Sequence, residues 1–424
     1  MKMLNTHIDI KGEKFLINGQ LTYSEIRGSK EQAHGLLMNA RFIQGIFDDK
    51  AERERFARFG RDVYDPEQNT DDLIAALPQW YSHGLRAFTV GLQGGGPVFT
   101  IEDWSTIDNN PFSVDGKTFD GAYEGRLDRL IRAADKIGIV VIVSFFYQAQ
   151  AHRLKDGETI RNAVKTASSI LKNGNYRNVI IEVANEHNVG NFKLHPIIFT
   201  AEGMAYLVEL AREQSGGMLV GCSGGGGYAN QEIARASDVI LVHGNGCTRQ
   251  QYYNLIRKVQ NWQMNKPIVC NEDSQCFGQL EVAFKTQTSW GYYNNLTKQE
   301  PPANWGITLG EDTYFARRMA EGIGIALPAL SSKDQYYLQG FEPLITVDNK
   351  RWIRLASLYP ESINYVEFYR NGQLLDIAYD EPFMVNYEST WIQGPCYITP
   401  EDKEWKARVF LRSGEIIEKT KTFI

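Results

Sequence analysis

Between residues 41 and 326 short strand-like runs recur eight times, with helix-like stretches between them. The apolar runs stand at 41–47, 86–92, 139–146, 179–185, 218–223, 239–244, 267–271 and 290–294. Amphipathic stretches occupy 70–83, 123–137, 159–173, 201–214, 249–263, 279–288 and 311–326. Gly138 and Gly174 close two of them, as a residue free to turn left-handed at a helix end should. Strands that each feed a helix bury both faces of a parallel sheet, and eight such units predict an α/β fold, the (β/α)8 TIM barrel. A doubly wound open sheet would want a glycine-rich turn after its first strand, and Phe47-Asp48-Asp49-Lys50 is not one.

The flanks follow a different period. Around Asn18-Gly19 two apolar runs face each other as a β-hairpin, since both turn residues tolerate positive φ. Beyond 340 the chain alternates with period two around the turns Asn371-Gly372 and Ser413-Gly414 and has no helix signal. The expected organisation is a catalytic barrel with its N-terminal hairpin over 1–340 and a small β-sandwich over 341–424.

Charge and cysteine content narrow the partners. A net charge of -6, with basic residues scattered among acidic ones, gives no footprint for a nucleic-acid backbone. No apolar run is long enough to span a bilayer, so a membrane is not an expected partner either. The first ten residues lack the apolar core of an export signal, which points to the cytoplasm, or to secretion if a signal has been removed. Five cysteines, Cys222, Cys247, Cys270, Cys276 and Cys396, sit in or beside apolar runs for the most part and read as buried free thiols.

Two of the runs end alike. Val179-Ile-Ile-Glu-Val-Ala-Asn185-Glu186 and Pro267-Ile-Val-Cys-Asn271-Glu272 each deliver an Asn-Glu pair where a strand should stop. In a barrel the C-terminal strand ends open onto the functional face. Carboxylates at the ends of the fourth and seventh strands can divide labour, one donating a proton and one attacking, which is what retaining glycoside hydrolysis requires. His243 ends the sixth run. The histidines form no His-Glu-x-x-His or His-x-His pattern, the cysteines no zinc spacing, and there is no Gly-x-Ser-x-Gly elbow. The glycine clusters 91–97 and 223–227 lack the Lys-Ser/Thr ending of a phosphate cradle and read as loops at the barrel mouth.

On Asn185-Glu186 and Glu272 the chain resembles clan A of the glycoside hydrolases, the 4/7 superfamily, over essentially the whole barrel. The resemblance implies Glu186 as acid/base, Glu272 as nucleophile and Asn185 as a contact to the sugar 2-hydroxyl. It implies a β-linked oligosaccharide or polysaccharide substrate and no cofactor or metal. In the cellulase-like members the sixth strand carries a His with a Tyr two residues on; here His243 is kept and Asn245 replaces the Tyr, leaving open which group orients Glu272. Trp290 resembles the indole floor on which a sugar ring stacks, with Trp104, Tyr147 and Trp305 as candidate extensions of that platform. The third strand end, Phe145-Phe-Tyr-Gln148, lacks the His of many such enzymes. The C-terminal segment, with Glu367-Phe-Tyr-Arg-Asn-Gly and Pro382-Phe383, resembles the immunoglobulin-like modules appended to carbohydrate-active enzymes; its Trp391 and Trp405 are candidate glycan contacts. Two alternatives stay open: a carbohydrate-binding pseudoenzyme, and a transglycosidase using the same two carboxylates.

Overall fold

The computed structural model describes residues 6–97, 99–342, 346–347, 349–390 and 394–423; Trp391 lies outside them. The chain opens with an antiparallel meander, β1 (Ile8–Lys11), β2 (Lys14–Ile17) and β3 (Gln20–Leu21). Eight parallel strands follow. Six form one sheet in the order β11-β4-β5-β6-β7-β8, comprising β4 (Asn39–Arg41), β5 (Ala87–Gly91), β6 (Val140–Phe146), β7 (Val179–Ala184), β8 (Leu219–Gly221) and β11 (Gly291–Tyr292). β9 (Ile240–His243) and β10 (Ile268–Glu272) form a separate parallel pair.

Backbone hydrogen bonds cross both seams between the six and the two. The N–H groups of Asp238 and Val239 donate to the Val220 carbonyl at 2.7 and 3.4 Å. On the other side Cys270 N–H donates to Ser289 O at 2.9 Å, and Ser289 N–H to Ile268 O at 3.0 Å.

The alternation of side chains along each strand sorts the apolar residues into two clusters. Val141, Val143, Phe145, Ile181 and Val183 face out, against the helices. Val140, Ile142, Ile180, Leu241 and Val269 face in, where Ile8 and Phe15 of the meander join them. The N-terminal meander therefore plugs the end of the sheet from which the strands start. Followed along the strands, the inward rows turn polar: Glu182, His243, Asn271 and Arg41 continue them at the C-terminal ends, all buried.

The helices are fixed by their caps. Asp65, Asp120, Asp156 and Asn230 each accept two backbone N–H groups of the turn that follows, and Thr248 forms a capping box with Gln251. The first long helix, Pro66–Ser82, begins four residues ahead of the expected 70 because Asp65 caps it and Pro66 fits the first helical position. No described helix is long and apolar enough to cross a membrane.

One boundary matters for the site. The first strand of the sheet ends at Arg41, where the sequence pattern has it begin. The apolar run 42–47 is buried as a loop, with Phe42 packed on Trp80, Phe88 and Trp305. A buried loop and a buried strand share the same apolar composition, so the pattern alone cannot separate them.

The C-terminal part is antiparallel. Ile363–Arg370 pairs with Gln373–Ala378 and with Glu404–Leu411, which pairs with Ile416–Thr422. Tyr336–Gln339 and Arg354–Ser357 form a second ladder over a core that includes Val366, Phe368 and Trp405. Trp405 is fully buried there and offers no face to a ligand. This part is bound to the strand-end loops: Arg354 forms a buried ion pair with Glu311 at 2.5 Å, Gly278 N–H donates to Glu381, and Gly246 N–H donates to Thr390 Oγ1 at 2.8 Å. All five cysteines are free and buried.

Candidate active site

The C-terminal strand ends surround a cavity of about 380 Å³. Glu186 and Glu272 both line it. Glu186 stands just past β7 with φ of 55°, in the left-handed region that a glutamate seldom occupies. The turn puts Asn185 and Glu186 at the cavity together. Glu272 reaches it by another route: the β9–β10 ladder slips between Cys270 and Glu272, so that Val242 pairs with Cys270 and the next residue, His243, with Glu272. Such a bulge re-aims a side chain. Asn271 keeps the inward phase of Val269, its Nδ2 donating to Glu182 Oε1 at 2.9 Å, and the slip brings the next residue, Glu272, to the mouth.

The two carboxylates are held by different groups. Glu272 faces Arg41, whose Nε lies 2.8 Å from Oε2. Arg41 Nη2 also donates to Asn185 Oδ1 at 2.5 Å, tying the strand-4 Asn to the same guanidinium. Glu186 faces His243, with Nδ1 3.0 Å from its Oε1. Asn245 Nδ2 spans the pair, 3.4 Å from Glu186 Oε1 and 3.2 Å from Glu272 Oε1. Arg41 and Asn245 are thus the groups that orient the second carboxylate.

Beneath the pair lies Glu182, a third carboxylate, fully buried. Its Oε1 accepts from Ser223 Oγ at 2.7 Å and lies 3.9 Å from His243 Nε2. Burial alone would raise its pKa, but the ring of His243, the charge of Arg41 and the Asn271 amide bring it down to about 2. Burial likewise opposes charge on His243; the carboxylates of Glu272, Glu182 and Glu186 outweigh it and lift the imidazole to about 10. His243 is therefore an imidazolium at neutral pH, and its Nδ1–H donates to Glu186. Glu272 is pushed above the usual carboxylate range, first by burial, with Arg41 and His243 pulling it back and Glu186 and Glu182 adding to the rise.

Ligand atoms of Glu186, His243 and Glu272 lie within 4.8 Å of one another, close enough to converge on a cation.

Of the aromatic residues singled out from the sequence, Trp104 and Tyr147 line the cavity and Trp290 and Trp305 do not. Trp290 is fully buried on the outward face of the sheet, packed on Phe315, with its indole N–H donating to Asp273 Oδ2 at 2.6 Å. Period two explains it: Gly291 and Tyr293 share the inward phase, and Tyr293 is the aromatic that reaches the cavity. Trp305 is buried between Phe42 and the helix Pro66–Ser82, where its indole N–H donates to Asn69 Oδ1 at 3.2 Å. Sequence reasoning also missed Arg41, Glu182 and Gln299. A charged residue in an otherwise apolar strand, in phase with Ile180 and Ala184, was the available signal for Glu182.

No protein-family model and no curated protein matches the sequence. Solved structures similar to the chain include a β-glucuronidase from Parabacteroides merdae, at 10% identity and a TM-score of 0.43, over 98% of this chain and 50% of that one. They include a β-mannanase from the blue mussel Mytilus edulis, at 12% identity and a TM-score of 0.45, over 75% of this chain and 97% of that one. An endo-1,4-β-mannanase from Eisenia fetida is similar at 12% identity with a TM-score of 0.46, over 76% of this chain and 95% of that one. The chain spans about half the length of the glucuronidase it resembles. At this level of similarity none of the three says what this chain acts on.

Proposed function

We propose that the chain is a retaining glycoside hydrolase of the clan A type, acting on a β-linked glycan from a (β/α)8 barrel. The observation that carries this is the carboxylate pair at the ends of β7 and β10, with oxygens within 4.8 Å of each other. Retention needs carboxyl groups about 5–5.5 Å apart, whereas inversion leaves room for a water at about 6.5–9.5 Å.

In the first step a Glu272 oxygen forms a bond to the anomeric carbon as the bond to the leaving oxygen breaks. The proton of Glu186 passes to that oxygen. His243 Nδ1–H and Asn245 Nδ2–H both point at Glu186 Oε1, which leaves Oε2 as the atom to carry the proton. In the second step water gives a proton to Glu186 and its oxygen to the anomeric carbon, and the bond to Glu272 breaks. While Glu272 is esterified its charge is gone, so Glu186 can act as the base. Asn185, fixed by Arg41, is the group for the sugar 2-hydroxyl. The antiparallel C-terminal part fits an immunoglobulin-like spacer that braces the loops after β9, β10 and β11.

The test is a panel of β-linked glycans assayed with the wild type, Glu186→Gln and Glu272→Gln. Activity lost in both variants supports the assignment. Activity retained at the wild-type level in both overturns it.

A further inference from the structure

The cavity is asymmetric about the two carboxylates. In the strand order β7 stands four places from β11, three from β4 and two from β5, so the loop that carries Glu186 lies across the mouth from the loop after β11, with the loops after β4 and β5 continuing from it. Those three loops are latched to each other. Gln44, after β4, donates to the carbonyls of Gly95 and Gln299 and accepts from Gly95 N–H at 3.2 Å. Gln299 Nε2 donates to Gly96 O at 2.6 Å. Glu300 accepts from Phe99 N–H at 3.1 Å and from the Thr100 hydroxyl, and Arg58 donates to Pro301 O at 2.8 Å. Trp352 of the C-terminal part packs on Leu296 and Phe99 behind the latch.

Burial follows the same division. Residues 291–303 are all buried, as are 91–97, while Gly190 and Asn191 on the Glu186 side are exposed. A wall therefore closes the cavity on one side, and the mouth opens on the side of the proton donor. The proton donor marks the leaving-group side of the scissile bond. The wall stands where a glycan would have to continue beyond the sugar that Glu272 attacks.

The polar groups facing the cavity from the wall and flanks are largely amides: Gln148, Asn295 and Gln299 join Asn185 and Asn245. Amides serve neutral hydroxyls, as donor and acceptor at once. The one guanidinium among the lining residues, Arg41, is matched by Glu272. A sugar carboxylate entering here would find no cation among the lining residues that is not already paired.

We infer that the site is a dead-end pocket taking one neutral sugar from the non-reducing end of a β-linked glycan, with the released remainder leaving past Val189 and Gly190; this rests on the glycosidase chemistry proposed above. A cavity of about 380 Å³ lies near the lower end of the roughly 300–1,000 Å³ that houses small ligands, which suits a terminal sugar and not the run of a polymer.

The test uses the full chain with β-1,4-linked gluco-, manno-, galacto- and xylo-pentaoses labelled at the reducing end, beside the p-nitrophenyl β-glycosides of the same sugars and p-nitrophenyl β-glucuronide. The expected result is a ladder that shortens one sugar at a time from the unlabelled end. The best neutral aryl glycoside should exceed the glucuronide at least about 100-fold in kcat/KM, the order expected when a site rejects an unmatched charge. Short labelled fragments in the earliest time points, or a preference for the glucuronide, overturn the dead-end neutral pocket while leaving the glycosidase intact. Absence of any turnover across oligosaccharides and aryl glycosides overturns both. A second variant, Glu300→Ala, should loosen the latch and produce internal cleavage that the wild type does not show; an unchanged ladder in a folded variant counts against the wall.

Discussion

The ends of β7 and β10 carry the same dipeptide and use it differently. At β7 both members of Asn185-Glu186 face the cavity, because the chain turns left-handed at Glu186. At β10 Asn271 follows the inward phase of Val269 to Glu182, and the slipped register brings only Glu272 to the cavity. The partners differ as well. Glu272 is held by a guanidinium that cannot lose its proton, and Glu186 by an imidazolium whose charge depends on its neighbours. Identical residues thus acquire separate surroundings from backbone geometry and from the cation beside each.

Substitutions at the two ends should separate in size and kind. The largest effect is expected for Glu272→Gln, a loss of kcat/KM of about ten-thousand-fold or more for every substrate, since the attacking group is gone. Glu186→Gln should cost about 100- to 10,000-fold for substrates whose leaving group needs a proton, and little for a 2,4-dinitrophenyl glycoside, which needs none. Equal losses for both leaving groups in Glu186→Gln would erase the distinction drawn between the two ends.

Next in size is Arg41→Met. Glu272 already sits above the 4.5 of an ordinary glutamate because it is buried. It must be ionised to attack, so activity should fall as pH drops through a value above 4.5, and removal of the Arg41 charge should move that limb higher still. A pH profile of kcat/KM for the two proteins checks it; an acidic limb that stays in place contradicts the pairing.

A smaller effect, about tenfold, is expected for Glu182→Gln. His243, at about 10, has its pKa raised from its ordinary 6.5. The stability it contributes as a cation is complete below 6.5 and is lost as pH rises through 10. Without Glu182 the upper bound should come down, read as a lower imidazole pKa by NMR and a basic limb of the rate profile shifted downward. The smallest catalytic effect belongs to Asn271→Ala, which should leave kcat within a few-fold. It should destabilise the fold by about 1–3 kcal/mol, because Glu182 loses a buried hydrogen bond. Asn185→Ala should do the reverse, lowering kcat with little change in thermal midpoint.

Much of this was legible in the sequence, and the gaps have physical causes. Eight strand runs and both carboxylates could be placed from apolar period and strand count, because buried parallel strands are hydrophobic on both faces. Arg41 was hidden by a strand boundary: the run 42–47 is as apolar as a strand but is buried as a loop, which put Arg41 at the wrong end. Trp290 was misassigned by one residue of phase, and one residue is enough to move a side chain from the cavity to the helix layer. The bulge at β10 has no sequence signature, so the buried partner of Asn271 could not be read from the pattern. The bracing of the mouth by Arg354, Glu381 and Thr390 depends on contacts more than a hundred residues apart in two of the three cases, to which local pattern is blind.

Glu272, and not Glu186, is expected to form the bond to the sugar. This is tested most directly with a 2,4-dinitrophenyl 2-deoxy-2-fluoro β-glycoside of whichever neutral sugar the enzyme releases fastest, followed by peptide mass mapping. Time-dependent inactivation is expected, with one added fluoroglycosyl group on the peptide containing Glu272. A label on the peptide containing Glu186, or turnover of the parent glycoside to an inverted product with no label on either, would contradict it.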